Sequence, residues 1–331
     1  MNARTWVCTI ILFIAGLAQG VAEQESLQIR DFRDIAVHAD GSIYVLDNAN
    51  DGVLKLDKEG RQVWWAPLAV DNGRKSNPYG LTLAQRAPDF LYVISTVAGV
   101  RDISSDGKVG KVFPPPLSQT DGISSVDAMG QVYYLDRQHH LVKKYQGTTG
   151  AVTEPAPEDK SNAGDSAADT PKFSDGTPDR PSLVIDGKVE GPAHFGDPYE
   201  VCVDGQGNIW VLGNNYIYKV FDSQGRFLRE IKAPDAKNRS FTYVVGMESD
   251  AEGNTYLACQ ETKIVLKYDK EGNLINDIKT GIWASAFGLD QEGRLYVADT
   301  RYRGPDGTHT PAIKVLDQSG NLLRTIIVEQ K

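Results

Sequence analysis

Asp290-Gln-Glu-Gly-Arg-Leu-Tyr-Val-Ala-Asp299, followed after a loop by Ile313-Lys-Val-Leu-Asp317-Gln-Ser-Gly320, holds two tight Asp-x-x-Gly turns and two short apolar runs. The same arrangement recurs along the chain. Asp204-Gly-Gln-Gly-Asn-Ile-Trp-Val-Leu212 precedes Tyr218-Lys-Val-Phe-Asp222-Ser-Gln-Gly225, and Asp40-Gly-Ser-Ile-Tyr-Val-Leu-Asp47 precedes Val53-Leu-Lys-Leu-Asp57-Lys-Glu-Gly60. A fourth copy runs from Asp250-Ala-Glu-Gly-Asn-Thr-Tyr-Leu257 to Val265-Leu-Lys-Tyr-Asp269-Lys-Glu-Gly272. Weaker copies start at Tyr79-Gly-Leu-Thr-Leu83 and at Asp121-Gly-Ile-Ser-Ser-Val126. A period of roughly 40 residues is the spacing of propeller blades.

Each copy decodes into a four-stranded meander. An apolar strand such as Tyr199-Glu-Val-Cys-Val203 leads into the first turn, whose glycine takes the left-handed conformation that a tight reversal demands. A second apolar strand follows, Ile209-Trp-Val-Leu212 in this copy. A third alternates apolar and polar residues with period two, as in Ile264-Val-Leu-Lys-Tyr268. A second Asp-x-x-Gly turn leads to an outer strand such as Leu274-Ile-Asn-Asp-Ile278. Meanders of this kind bury both faces by stacking radially. The expected fold is all-β, a six-bladed β-propeller of four-stranded antiparallel blades over about 31–70, 77–117, 121–153, 196–234, 241–281 and 284–328. Residues 154–195 break the period and read as an insertion between blades three and four, with a short hairpin at Leu183-Val-Ile-Asp-Gly-Lys-Val189. A smaller insertion, 300–311, expands a loop of blade six, and Glu25-Ser-Leu-Gln-Ile-Arg30 is expected to add a strand to the last blade.

The repeats resemble the NHL family. Pro78-Tyr-Gly-Leu-Thr-Leu83 and Ala286-Phe-Gly-Leu-Asp290 match the family's opening, Leu295-Tyr-Val-Ala-Asp299 its middle and Ile217-Tyr-Lys-Val-Phe-Asp222 its end. The resemblance covers about 31–328 and implies the six-bladed ring. It leaves the activity open, because such propellers serve both as enzymes and as binding platforms.

The N-terminus is of another kind. Arg4 precedes an apolar run from Trp6 to Ala18 that is too short to span a bilayer and ends in small residues. Residues 1–22 read as a signal peptide cleaved after Gly20 or Ala22, leaving 23–331 as a secreted or periplasmic propeller with no membrane insertion. Cys202 and Cys259 then remain, both in apolar strands, and are expected as free buried thiols. The net charge of −9 disfavours a nucleic-acid partner, which rewards clustered Lys and Arg.

Candidate site residues sit where the repeats vary. Most copies carry a small residue near the start of the inner strand, whereas blade one has Asp34 and blade four Glu200. With Asp121 and Asp197 nearby, these acids form a candidate set of oxygen ligands for calcium. Tyr79 and Tyr243 would stand at the same channel mouth, and Arg301, Tyr302 and Arg303 on the blade-six loop are of the types favoured as interface anchors. His38, His139, His140, His194 and His309 show no metal-ligand spacing, and no Gly-x-Ser-x-Gly elbow, P-loop or dinucleotide fingerprint is present. The sequence therefore points first to a monomeric binding module that holds a protein, peptide or glycan through its loop face and channel mouth. The alternative is a calcium-assisted hydrolase or lyase of the lactonase-like propeller type.

Overall fold

The computed structural model describes residues 29, 31–68, 75–83, 90–95, 99–112, 124–127, 129–145, 181–213, 217–232, 243–304, 306–307 and 310–328. They form six blades, each a sheet of four antiparallel strands, with no helix among the described residues. Blade one comprises β1 (Phe32–Val37), β2 (Ile43–Asp47), β3 (Gly52–Leu56) and β4 (Gln62–Pro67). Blade two comprises β5 (Pro78–Leu83), β6 (Phe90–Ser95), β7 (Gly99–Ser104) and β8 (Val109–Val112). Blade three holds β9 (Ser124–Val126), β10 (Val132–Asp136), β11 (Leu141–Tyr145) and β12 (Leu183–Asp186). Blade four holds β13 (Glu200–Val203), β14 (Ile209–Gly213), β15 (Ile217–Phe221) and β16 (Phe227–Lys232). Blade five is β17 (Val244–Ser249), β18 (Thr255–Cys259), β19 (Ile264–Tyr268) and β20 (Leu274–Lys279). Blade six is β21 (Ala284–Leu289), β22 (Leu295–Asp299), β23 (Ala312–Leu316) and β24 (Leu322–Ile327).

The aspartate of the repeat explains why the turns are so uniform. In blade four the Asp204 amide donates to the Asn208 carbonyl (3.0 Å), and Gly207, at φ +79, donates back to the Asp204 carbonyl (2.9 Å). The Asp204 carboxylate accepts the amides of Gln206 and Asn208 through Oδ1, and the Asn208 side chain and the indole Nε1 of Trp210 through Oδ2. One side chain thus caps the turn and satisfies the polar tip of the aromatic residue at the second position of the next strand. Asp127, Asp250 and Asp290 do the same for the hydroxyls of Tyr133, Tyr256 and Tyr296. Asp204→Ala leaves a buried indole N–H without its acceptor and is expected to lower stability by about 2 kcal/mol. Urea unfolding checks this, and a loss under about 0.5 kcal/mol would mean that the turn does not depend on its carboxylate.

The second strand of each blade is buried on both faces, and its alternation divides it between two interfaces. Ile43 and Val45 face blade six, whereas Tyr44 and Leu46 face blade two. Val132 and Tyr134 face blade two, whereas Tyr133 and Leu135 face blade four. Each radial interface carries its own apolar cluster. One of them packs Ile35, Val45 and Leu54 of blade one against Tyr296, Ile313 and Val315 of blade six, so the ring closes.

Two expectations change here. Leu183–Asp186 is a single strand that pairs with β11, from Leu141 opposite Asp186 to Lys144 opposite Leu183. The period-breaking segment therefore lies inside blade three, between its third and fourth strands, and not between blades, and the expected hairpin is instead an outer strand. The long polar stretch separates this strand from its sheet in sequence, which hides its membership. Among the described residues blade six holds four strands of its own. Of the segment expected to join it only Ile29 is described, buried in the cluster between blades one and six. Residues 1–22, Asp121, His309 and most of the 154–195 segment lie outside the described residues.

In a meander the turns after first and third strands emerge at one face of the ring. The turns after second strands, and the links between blades, emerge at the other. The C-terminal end of β11 at Tyr145 lies at the first face, and the end of β22 at Asp299 at the second.

Candidate functional site: an acidic central channel

The inner strands β1, β5, β9, β13, β17 and β21 surround the ring axis, and a cavity of about 970 Å³ lies among them. Counted back from the turn aspartate, Asp34, Gly80, Glu200, Gly246 and Ala286 occupy one level of the inner strands. Two residues further along, Ala36, Thr82, Ser125, Cys202, Glu248 and Gly288 occupy the next. Side chains small enough to leave a channel dominate both levels, so Asp34, Glu200 and Glu248 project into a space their neighbours leave open. Gly288 also brings blades six and one close together: a Cβ there would lie 2.7 Å from the Ile35 carbonyl oxygen. This tight approach lets a residue of blade one sense one of blade five.

The three acids have different partners. Asp34 accepts its own strand's Ile35 amide (2.9 Å) and, across the blade boundary, the Leu81 amide (2.7 Å). Burial outweighs both bonds and raises its pKa to about 7. Glu200 accepts the Tyr218 hydroxyl (3.1 Å) and the Cys202 thiol (3.4 Å), and burial again raises its pKa. No group among the described residues donates a hydrogen bond to Glu248. Burial, reinforced by the charge of Asp34, holds it well above the usual carboxylate range. The blades surround Glu248, yet it keeps part of its surface open to the cavity. Burial and the Glu200 carboxylate push the Cys202 thiol well up, so it is not a thiolate nucleophile. The adjoining Ser249 has its hydroxyl buried without a hydrogen-bond partner.

Charge is lopsided throughout this cavity. Among the described residues Asp34, Asp127, Glu200, Asp204, Glu248, Asp250, Glu252 and Asp290 line it, with no lysine, arginine or histidine. The turn aspartates Asp127, Asp204, Asp250 and Asp290 are occupied by turn amides and aromatic tips. Asp34, Glu200, Glu248 and Glu252 form no ion pair among the described residues.

The residues expected to converge divide into two places. Asp34 and Glu200 line the channel. Asp197 instead pairs with His140 (2.8 Å) outside the cavity wall, and Asp121 is not among the described residues. No group of three or more His, Cys, Asp and Glu is placed to hold a metal among the described residues. Tyr243 stands 65% exposed at φ +57, just ahead of its inner strand. Arg301 lies over the Trp283 ring at 4.3 Å, and Lys314 over the Tyr302 ring at 5.3 Å. Arg303 donates to the Gly307 carbonyl (3.0 Å). None of these rim residues lines the cavity, and the Tyr79 side chain lies outside what the structure describes. Cys202 and Cys259 are free thiols.

No family model matches the chain, and no curated protein matches it. Solved structures do. A virginiamycin B lyase from Staphylococcus aureus is 11% identical over 90% of this chain and 84% of its own, with a TM-score of 0.53. A streptogramin B lyase is 14% identical over 91% and 84%, with a TM-score of 0.54. A catalytically inactive histidine-to-alanine variant of the Staphylococcus aureus enzyme with quinupristin is 11% identical over 92% and 87%, with a TM-score of 0.53. At such identities the likeness is one of fold.

Proposed function

We propose that this chain is an exported, NHL-like propeller that acts as a binding module, with the central channel as its ligand site and the loop face as its rim. The observation that carries this reading is the cavity of about 970 Å³ whose charged lining, among the described residues, is wholly acidic. Evenly packed blades that merely needed a core would not direct three enclosed carboxylates at one space, because each costs desolvation free energy. Acids of raised pKa in a cleft mark functional sites more often than structural ones.

The second reading, a metal-assisted hydrolase or lyase, takes its support from the lyase neighbours. Two observations favour binding over it. Calcium takes six to eight oxygens, and the acids of this channel do not converge in threes. The lyase variant solved with quinupristin is inactive with one histidine replaced by alanine, and here no histidine among the described residues lines the cavity.

The test is a thermal-shift panel of small cationic, neutral and anionic compounds at constant ionic strength, with quinupristin included. Quinupristin and each stabilising compound are recovered and compared with the starting material by chromatographic retention and fragmentation mass spectrometry. Stabilisation by the cationic compounds, recovered unchanged, is expected. Conversion of quinupristin into a new species would establish the lyase reading instead, and a panel with no stabilising compound would remove the channel as the ligand site.

A further inference from the structure

We infer that the channel takes an alkylammonium chain, the chemistry shared by free polyamines and lysine side chains, with Glu248 as its inner anchor. The inference rests on the channel being the ligand site and goes further, by naming the class of ligand.

Three observations carry it. The first is that Glu248 projects into the cavity with no donor among the described residues. An ammonium brings three N–H donors and a full positive charge, which is what this carboxylate lacks. The second is spacing. Glu200 and Asp34 occupy one level of the inner strands, Glu248 the level two residues along, and Glu252 the turn beyond. Two residues of strand span roughly 7 Å, so the acids are strung along the axis rather than gathered about a point. That suits amines separated by short methylene chains better than one compact ion. The third is the wall between the acids, where the half-buried Val244, Val245 and Met247 offer apolar surface to the methylenes.

Binding of a cation here must expel protons. The titratable groups facing Glu248 are Asp34 on β1 and, on β13, Glu200 and Cys202. The Tyr256 hydroxyl, on the paired strand β18, is committed to Asp250 (3.0 Å). The blade-six inner strand, Ala284–Leu289, contributes no titratable side chain. All the facing groups therefore favour their neutral forms, and a cation drives the carboxyls to ionise.

The experiment is isothermal titration calorimetry of the full chain with spermidine, with trilysine and with calcium chloride, each at pH 5.5 and pH 8. We expect one spermidine per chain at pH 8, affinity at least tenfold weaker at pH 5.5, and a heat near neutral pH that varies with buffer ionisation enthalpy. Glu248→Gln should weaken spermidine at least tenfold. Glu252→Gln, at the mouth and with no core role, should weaken it two- to fivefold and covers the case in which the first variant does not fold. Binding of trilysine in place of spermidine supports the same chemistry and assigns it to a peptide source. Equal spermidine affinity in wild type and both variants overturns the inference. Calcium binding that depends on Glu248, with neither amine bound, also overturns it while leaving the channel as the ligand site.

Discussion

Trp210→Ala lowers the unfolding free energy by about 4 kcal/mol, the largest loss expected from a single substitution here. Trp210 is 1% exposed, in the second strand of blade four, within the cluster that joins blades four and five. It meets Tyr218 edge-on at 5.8 Å between ring centres, and its indole nitrogen reaches Asp204 at 2.8 Å. Truncation removes the buried rings and opens a void between two sheets whose backbones, held in their own ladders, cannot close over it. Trp210→Phe keeps most of the packing and loses the hydrogen bond, so a loss nearer 1–2 kcal/mol is expected. Guanidinium unfolding of both variants measures the pair. An alanine variant that loses less than about 1.5 kcal/mol at unchanged slope would contradict the packing of that interface.

The second expected result is a melting temperature that falls as pH rises from 5 to 8. Asp34 has an unfolded pKa near 3.8 and a folded value of about 7, so between these the folded chain holds a proton that the unfolded chain has released. Stability is therefore lost as pH climbs through this window. Glu200 and Glu248, also raised, add in the same direction. For Asp34 the loss is on the order of 3 kcal/mol once solvent reaching the cavity is allowed for. At a few degrees per kcal/mol the total fall is on the order of 5–10 °C. The acids that pull the other way act elsewhere on the scale. Lys219 and Lys232 hold Glu230 at about 2, and Lys108 with Ser104 holds Asp106 at about 2. Their stabilisation is complete above the ordinary carboxylate range and is lost only in stronger acid. The combined variant Asp34→Asn, Glu200→Gln, Glu248→Gln should flatten the curve between pH 5 and 8. A wild-type melting temperature that is level or rising across that interval would show that these carboxyls are not desolvated in the folded chain.

The ring was legible in the sequence because one residue type performs two jobs at each turn. Asp204, Asp250 and Asp290 recur with a glycine three residues on and an aromatic six residues on, so the motif repeats wherever the local geometry repeats. Asp34 and Glu200 were legible for the converse reason, being large and charged at a repeat position otherwise filled by Gly80, Gly246 and Ala286. Glu248 was not singled out, although the level it shares with Ala36, Thr82, Ser125, Cys202 and Gly288 carries the same signal. Finding it required comparing every level of the inner strand, not its first residues alone. The outer strand of blade three was hidden by the length of chain between Tyr145 and Leu183. The grouping of Asp197 with the channel acids failed because proximity in sequence to an inner strand does not decide whether a side chain points along the axis or, as Asp197 does, toward a neighbouring loop histidine.

The seam between the first and last blades has a consequence for how the molecule comes into being. Each sheet draws all its described strands from one stretch of chain, and the seam is held by side chains such as Ile35 and Tyr296. None of the described strands joins its sheet from the opposite terminus. Blades can therefore mature in the order in which the ribosome delivers them, each finding a finished neighbour to lean on, with the axial space enclosed only when the sixth arrives.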